Sequence, residues 1–230
     1  MSVRSEQSDF SYAVETRARQ TRGESSDIIY RAIARTLFQR GIRGNLLLDV
    51  GCGAGRLWPF LCDRFATYIG VDVIPYEQFP KGASFRVADL DAEGVPLPDR
   101  SADVVVAAET IEHLENPRAF MRELVRVTKA NGWIVVTTPN QRALLSMMTL
   151  FVKGRFNAFQ DVQYPAHITA LLPIDLQRIA EESGVTEIAI EFTEEGRIPL
   201  TAWHYPGHLA RLFPQALSDN LLLLGKRPVR

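Results

Sequence analysis

The chain has 230 residues, of which 46% are hydrophobic, and its formal net charge is −1 at neutral pH. This length and apolar content suffice for one domain with a full-sized core, which needs no metal ion or disulfide in order to fold. The balanced charge provides no long-range attraction for a polyanion and argues against nucleic acid as the partner.

The N-terminal 24 residues are polar and charged, without an apolar run of signal-peptide length. Nowhere does the chain approach the roughly 18 to 20 consecutive apolar residues of a membrane span. Its two cysteines, Cys52 and Cys62, are too few for a disulfide framework. We therefore expect a cytoplasmic protein with no membrane span.

Hydrophobic periodicity then predicts alternating helices and strands. A helix over residues 27–40, capped by Ser26, belongs to a predicted N-terminal helical cap of residues 1–44. Alternation of strands and helices is typical of a mostly parallel sheet covered by helices on both faces. The predicted strands are 45–50, 68–73, 84–88, 103–108 and 133–138, and the predicted helices between them are 55–66 and 117–128.

Two later segments lack this regularity. Residues 141–170 mix apolar, basic and aromatic side chains, and residues 193–219 are rich in proline and glycine. Because long irregular segments commonly carry function, we expect both to be substrate-lid segments of a single domain, 1–230. Around them the pattern predicts a helix over 173–183 and strands over 186–192 and 220–225.

A glycine-rich turn, Asp49-Val50-Gly51-Cys52-Gly53-Ala54-Gly55, follows the first strand. Glycines at such a turn permit positive φ and let a ligand lie against bare backbone, although a purely structural turn is the alternative. The third glycine comes one residue too early for a dinucleotide motif, and no P-loop Gly-Lys-Ser/Thr follows. A carboxylate at Asp49 would repel a pyrophosphate and attract the ammonium of an amino-acid ligand, which favours S-adenosylmethionine (SAM).

Two further acids follow later strands. Asp72 comes about twenty residues after the glycines, where an acid can accept hydrogen bonds from both ribose hydroxyls. Asp89 follows the next strand and could accept a hydrogen bond from the exocyclic amine of adenine. Each also has a structural interpretation, Asp72 as a cap and Asp89 as a turn residue. Because parallel strands end at one edge, we expect Asp49, Asp72 and Asp89 to gather there.

Successive motifs extend this pattern from about Leu46 to Asn140. They are Leu48-Asp49-Val50-Gly51-Cys52-Gly53-Ala54-Gly55, Gly70-Val71-Asp72, Ala88-Asp89-Leu90, Pro96-Leu97-Pro98-Asp99, Ser101-Ala102-Asp103-Val104-Val105, Glu112-His113-Leu114 and Ala130-Asn131-Gly132-Trp133. Jointly these motifs resemble those of the class I SAM-dependent methyltransferases, including the ubiquinone-pathway O-methyltransferases. Two positions depart from the family, Ala102 where an aromatic residue is usual and Asn131 where proline is common.

The resemblance implies an α/β, Rossmann-like fold, with a seven-stranded mostly parallel sheet, helices on both faces, an antiparallel last strand and lid insertions. It also implies that Asp49 and the glycines face the methionine part of SAM, Asp72 the ribose, and Asp89 with the Leu90 backbone the adenine. The full set of cofactor-binding residues that we predict is Asp49, Gly51, Cys52, Gly53, Gly55, Asp72, Val73, Asp89, Leu90 and Glu109.

His113 is the predicted catalytic base, because it follows the fourth strand and histidine side chains titrate near neutral pH. A structural role beside the following helix start is the alternative. Glu109, Glu112, His113 and His167 could instead bind a divalent metal ion, in a pattern similar to that of metal-assisted small-RNA 2′-O-methyltransferases and ubiquinone-pathway O-methyltransferases. Acids and histidines near helix starts are commonly caps, so the metal is the less favoured interpretation.

We therefore predict an enzyme that transfers a methyl group from SAM to a small-molecule acceptor at a hydroxyl oxygen, with S-adenosylhomocysteine as the product. The alternatives are a metal-assisted RNA 2′-O-methyltransferase and a SAM-binding protein without catalysis. The aromatic and basic residues of the lid segments would suit a planar or acidic small molecule, or a stacked nucleotide. These motifs leave the oligomeric state open.

Overall fold

The computed structural model describes Gly23 and residues 25–229, so most of the predicted cap before residue 25 lies outside the described residues. Helix α1 (Asp27–Gln39) is capped by Ser26, whose hydroxyl accepts a hydrogen bond from the Ile28 N–H at 3.3 Å. Ile33 and Leu37, four residues apart, lie on its buried face. The predicted helix over 27–40 is confirmed to within one residue.

Seven strands form one sheet in the order β3-β2-β1-β4-β5-β7-β6. Strands β1 to β5 pair in parallel, whereas β7 runs antiparallel to both of its neighbours, β5 and β6. This topology confirms the predicted Rossmann-like fold with an antiparallel last strand. The strands are β1 (Gly44–Val50), β2 (Phe65–Asp72), β3 (Ser84–Val87), β4 (Ala102–Ala108), β5 (Thr128–Pro139), β6 (Thr186–Phe192) and β7 (Asn220–Lys226).

Helices cover both faces of this sheet. Helices α2 (Pro117–Val127) and α4 (Pro173–Glu182) pack on one face, through Phe120 and Leu176 among others. On the other face, α1 packs with the segment that carries Leu57 and Leu61. Because both faces are buried, the central strands are apolar almost throughout, as the sequence predicts.

The predicted helix over residues 55–66 is wrong. Only a short 3-10 helix, Trp58–Phe60, forms there, and β2 already begins at Phe65. Pro59 lies within the segment and has no N–H to donate to an α-helical ladder. The chain instead makes turns that are closed by hydrogen bonds between residues three apart. In one of them, the Leu61 N–H donates to the Trp58 carbonyl at 2.9 Å.

Both predicted irregular segments contain helices. Helix α3 (Leu144–Lys153) and a short 3-10 helix, Asn157–Phe159, occupy the first, and α5 (Gly207–Leu212) occupies the second. Helix α3 has no visible amphipathic pattern because it is apolar on its outward face as well. Its leucines and methionines nevertheless favour a helix.

The chain order of the strands reverses direction at β1. From β1 the chain proceeds through β2 to β3 on one side, and then crosses to β4 on the other. Such a switch point leaves a crevice beyond the carboxyl ends of the strands, where ligands bind in open α/β folds. The glycine turn after β1 and residues 109–114 after β4 lie at this crevice.

Candidate functional site

A cavity of about 420 Å³ lies at the carboxyl ends of β1, β2 and β4. Nine of the predicted site residues line it: Asp49, Gly51, Cys52, Asp72, Val73, Asp89, Leu90, Glu109 and His113. Other lining residues were not predicted from the sequence; they include Gly23, Ser25, Tyr30, Tyr76, Thr110 and Gln163. No local motif marks them, because they come from the chain before α1, from α1 itself, from loops and from residues 141–170.

The glycine turn holds a backbone that other residues adopt poorly. Gly51, Gly53 and Gly55 have φ of 74°, 50° and 71°, all in the left-handed region. A Cβ at Gly51 would lie 2.3 Å from the Thr110 Oγ1, so the close approach of this loop also requires glycine. Gly53 and Gly55 are absent from the cavity lining, and their observed role is to shape the turn.

Asp49 is a buried acid at the base of the cavity, only 2% exposed. Its Oδ2 accepts a hydrogen bond of 2.6 Å from the Tyr68 hydroxyl on the neighbouring strand β2. Burial raises the pKa of Asp49 to about 7, the Tyr68 bond opposes that rise, and the charge of Asp72 adds to it. A cation placed in the cavity would therefore stabilise the charged form of Asp49.

Asp72 joins the end of β2 to the glycine turn. Its Oδ2 accepts the Gly53 N–H at 2.7 Å, and its Oδ1 accepts the Val73 N–H at 2.7 Å. Burial raises the pKa of this carboxyl, and the backbone N–H donors oppose the shift. The carboxylate is thus held in a fixed orientation at the cavity wall.

Asp89 has the turn role that the sequence analysis gave as its alternative. Its Oδ1 accepts the N–H groups of Asp91 and Ala92, at 3.0 and 3.3 Å. Asp91, which was not predicted, also lines the cavity and accepts the Glu115 N–H at 3.0 Å. Asp89 therefore shapes a turn and faces the cavity at the same time.

His113 also lines the cavity and lies in the short 3-10 helix Ile111–His113. Its Nδ1 is 2.8 Å from the carbonyl oxygen of Ala166, in the segment 141–170. A carbonyl only accepts hydrogen bonds, so Nδ1 carries the proton, and Nε2 is the basic nitrogen of the neutral ring. The His113 ring meets His167 edge to face, with ring centroids 4.7 Å apart.

Glu112 and His167 each have a buried polar atom without a partner in the described part of the chain. Thr138 donates to the Glu112 Oε2 at 3.2 Å, whereas the Glu112 Oε1 and the His167 Nδ1 make no hydrogen bond. Burial raises the pKa of Glu112 to about 8, and burial with the nearby His113 lowers that of His167 to about 4. Orphaned buried atoms of this kind are rare in folded proteins.

Only part of the predicted metal-binding group comes together. Potential ligand atoms of Glu112, His113 and His167 lie within 4.8 Å of one another. Glu109 is not in this group, because Thr137 and Asn220 donate to its two carboxylate oxygens at 2.8 and 2.6 Å. The donor set that the structure assembles is one carboxylate and two imidazoles.

A second cavity, of about 370 Å³, adjoins the first. Ser26, Glu109 and His167 line both cavities. The second cavity is rich in polar side chains, which come from the end of β5, α3 and the segment before β7: Asn140, Gln141, Ser146, Asn157, Glu195, Arg197, His204, Asp219 and Asn220.

Comparison with known proteins agrees with this architecture. A family model described as "Methyltransferase domain" matches residues 48–136. A probable S-adenosylmethionine-dependent methyltransferase from Mycolicibacterium smegmatis is 28% identical over 84% of this chain and 71% of its own length. A crystal structure of a SAM-dependent methyltransferase from Archaeoglobus fulgidus superposes with a TM-score of 0.60, at 20% identity, over 86% of this chain and 94% of that one. The chain belongs to the class I SAM-dependent methyltransferases.

A further relative of this methyltransferase is matched over a shorter region. The ubiquinone biosynthesis O-methyltransferase of Pseudomonas fluorescens is 31% identical over 110 residues, which are 44% of this chain. The chain spans 47% of that relative's length. No helix among residues 25–229 is long and apolar enough to cross a membrane.

The first cavity of the methyltransferase has the properties that SAM requires. Its volume of about 420 Å³ lies in the range of ligand pockets. Gly51 is part of its wall, and Asp49, Asp72 and Asp89 supply carboxylates for a ligand that carries an ammonium and ribose hydroxyls. The residues present therefore fit the cofactor of the family.

Proposed function

We propose that this methyltransferase methylates a hydroxyl oxygen of a small molecule, with SAM in the first cavity and the acceptor in the second. The observation that carries the proposal is that the two cavities share Glu109 and His167 as walls. A donor and an acceptor in adjoining cavities can be held in line, which removes much of the entropic cost of bringing them together. A cavity volume of about 370 Å³ suits a small molecule better than RNA.

We assign the predicted cofactor residues to three parts of SAM. Asp49, with Gly51 and Cys52, would hold the amino-acid end, Asp72 with Val73 the ribose, and Asp89 with Leu90 the adenine. In support, all of these residues line one cavity in this spatial order of successive strand ends. SAM, when bound, supplies a methyl group that its sulfonium already activates, so the chain has to align the acceptor and exclude water.

His113 is the proposed base for the acceptor hydroxyl. Its Nδ1 is engaged by the Ala166 carbonyl, which leaves Nε2 as the basic nitrogen of the neutral ring. A positioned base of this kind contributes about 10² to 10⁴ in rate. The lid carbonyl would thus set both the tautomer and the orientation of the ring.

A His113→Asn variant tests this role. An asparagine can still donate to the Ala166 carbonyl, but it has no basic nitrogen. Methyl transfer from labelled SAM to a panel of hydroxylated small molecules should fall by at least about 100-fold in kcat, with SAM affinity unchanged. His208→Asn, at an exposed histidine of α5, is the matched control. Transfer to amines alone, or full activity of His113→Asn, would contradict the proposal.

A second candidate is metal-assisted methyl transfer, which the orphaned atoms of Glu112 and His167 favour. Glu112, His113 and His167 would hold a divalent ion, since imidazole and carboxylate groups are common ligands of such ions. The ion would orient the acceptor hydroxyl and lower its pKa. His113 would then be a metal ligand and would not act as the base.

Metal titration separates the two candidates. The metal-assisted candidate predicts that EDTA abolishes turnover, and that calorimetry with Mg²⁺, Mn²⁺ or Zn²⁺ shows one site, which His167→Ala removes. Unchanged turnover in EDTA and no heat of binding for any of the three ions would exclude it. The base mechanism predicts unchanged turnover in EDTA and no heat of metal binding.

A further inference from the structure

An apolar stripe runs along the outer face of α3. Leu144, Met147, Met148, Phe151 and Val152 are all exposed, and their spacing places them on one side of the helix. Phe151 is 93% exposed and Val152 is 77% exposed. Single exposed apolar residues are ordinary in folded proteins, but a contiguous stripe marks an interaction surface.

A second apolar projection lies close to the second cavity, beside α3. Residues 197–204 form a small hairpin, in which Arg197 and His204 are bridged and the Ile198 N–H donates to the Trp203 carbonyl at 2.8 Å. Leu200, in the turn of this hairpin, is fully exposed, and Trp203 is 76% exposed.

Both projections border the second cavity. Leu145 and Ser146 of α3, together with Arg197 and His204 of the hairpin, line that cavity. Each element therefore presents one side to the cavity and apolar side chains to the outside. The apolar surface is continuous with the walls of the proposed acceptor site.

The sequence segment that carries α3 has a net positive charge, in contrast to the balanced charge of the whole chain. Residues 142–160 contain three basic side chains, Arg142, Lys153 and Arg155, and no acidic one. Arg155 forms an ion pair with Asp161, just beyond this segment. Apolar side chains beside basic ones are typical of elements that lie in the interface of an anionic lipid layer.

The geometry points to an anionic lipid surface as the partner of α3 and the 197–204 hairpin. Apolar side chains led by Phe151 and Trp203 would enter the interface, and Arg142 and Lys153 would face the headgroups. A second copy of the chain is a weaker match for α3. A ten-residue helix is about 15 Å long, and a strip about 10 Å wide along it is far smaller than the roughly 800 Å² per partner of a stable interface. The inference does not depend on which atom is methylated.

Flotation of the full chain with vesicles tests this surface. We expect binding to vesicles of equimolar phosphatidylglycerol and phosphatidylcholine, and weaker binding to phosphatidylcholine alone. The double variant Phe151→Ser with Val152→Ser should lower the partition coefficient by at least about tenfold, since burying one large apolar side chain is worth that factor. Lys153→Gln should weaken binding to the anionic vesicles only.

Two controls keep the test decisive. Phe38→Ser alters an exposed aromatic residue of α1, 67% exposed, and should leave vesicle binding unchanged. Calorimetric titration of SAM should give the same affinity for the double variant as for the unsubstituted chain, which shows that the variant is folded. The inference is overturned if the unsubstituted chain binds neither vesicle, if Phe38→Ser has the same effect, or if the double variant changes only a monomer–dimer equilibrium.

Discussion

The Tyr68 hydroxyl donates a hydrogen bond of 2.6 Å to the buried carboxylate of Asp49, across the pairing of β1 with β2. This bond favours the charged carboxylate, while burial favours the neutral acid. The Tyr68 ring itself is stacked between Trp58 and Phe79, at centroid distances of 5.0 and 5.7 Å. The aromatic stack thus fixes the donor that orients the Asp49 carboxylate in the first cavity.

Removal of this donor should destabilise the fold without disturbing the stack. Tyr68→Phe keeps the ring and leaves the Asp49 Oδ2 without its partner, so the free energy of unfolding should fall by about 1.5 to 3 kcal/mol. Urea denaturation measures the change. Tyr164→Phe, at a tyrosine that is 70% exposed, should change the stability by less than about 0.5 kcal/mol. Equal effects of the two substitutions would show that the Tyr68 bond contributes nothing.

With Asp49 at the amino-acid end of SAM, as proposed, its raised pKa should make SAM binding depend on pH. The ammonium of SAM favours the carboxylate, so binding is coupled to loss of the Asp49 proton and strengthens as the pH rises through about 7. Between pH 6.5 and 5.5 the affinity should fall by about tenfold, while the ligand's α-amino group, with a pKa of about 7.7 to 8.0, stays charged. Calorimetry across this window should show a flat profile for Asp49→Asn. A flat profile for the unsubstituted chain would contradict the assignment of Asp49 to the amino-acid end.

Gly51 should tolerate no side chain. Gly51→Ala combines a φ of 74° with a Cβ only 2.3 Å from the Thr110 Oγ1. We expect a loss of more than about 2 kcal/mol in the free energy of unfolding, together with weaker SAM binding. Gly184→Ala, with a φ of 86° and open space around its Cβ, isolates the backbone contribution and should lose only about 1 to 2 kcal/mol. Similar losses of unfolding free energy for both variants would mean that Thr110 moves and makes room for the new methyl group.

Asp72 should contribute to SAM affinity beyond its structural role. Asp72→Asn is expected to raise the Kd of SAM by at least about tenfold, because hydrogen bonds to a charged group are worth about 1.5 to 3 kcal/mol. Asp103 is a matched control, since its Oδ2 also accepts two backbone N–H groups, from Asn45 and Leu46 at 3.0 and 2.8 Å. It lies at the opposite end of the sheet, where β1 and β4 begin. Unchanged SAM affinity in Asp72→Asn would contradict the assignment of Asp72 to the ribose.

Local patterns were enough to predict much of the fold. The helix α2 follows from Asn116, whose side chain accepts the Ala119 N–H at 2.9 Å, and from Pro117 at the first helical position. Strand β1 follows from an apolar run that ends at the glycine turn. The placement of Asp49, Asp72 and Asp89 around one cavity follows from the shared edge of parallel strands.

Other features depend on contacts between distant parts of the chain. The carboxylate of Glu109 accepts a hydrogen bond from Asn220, 111 residues later, and Glu109 is not part of the group formed by Glu112, His113 and His167. The register that brings Tyr68 to Asp49 is likewise set by strand pairing and not by a motif. Helix α3 could not be predicted from hydrophobic periodicity, because its outer face is apolar without being buried.

A crystal structure of the chain with S-adenosylhomocysteine tests the central claim most directly. We predict that the ligand occupies the cavity of about 420 Å³, with its ribose hydroxyls on the Asp72 carboxylate, its amino group beside Asp49 and its sulfur toward the second cavity. Electron density for the ligand in the second cavity, or a ribose that makes no contact with Asp72, would contradict the account.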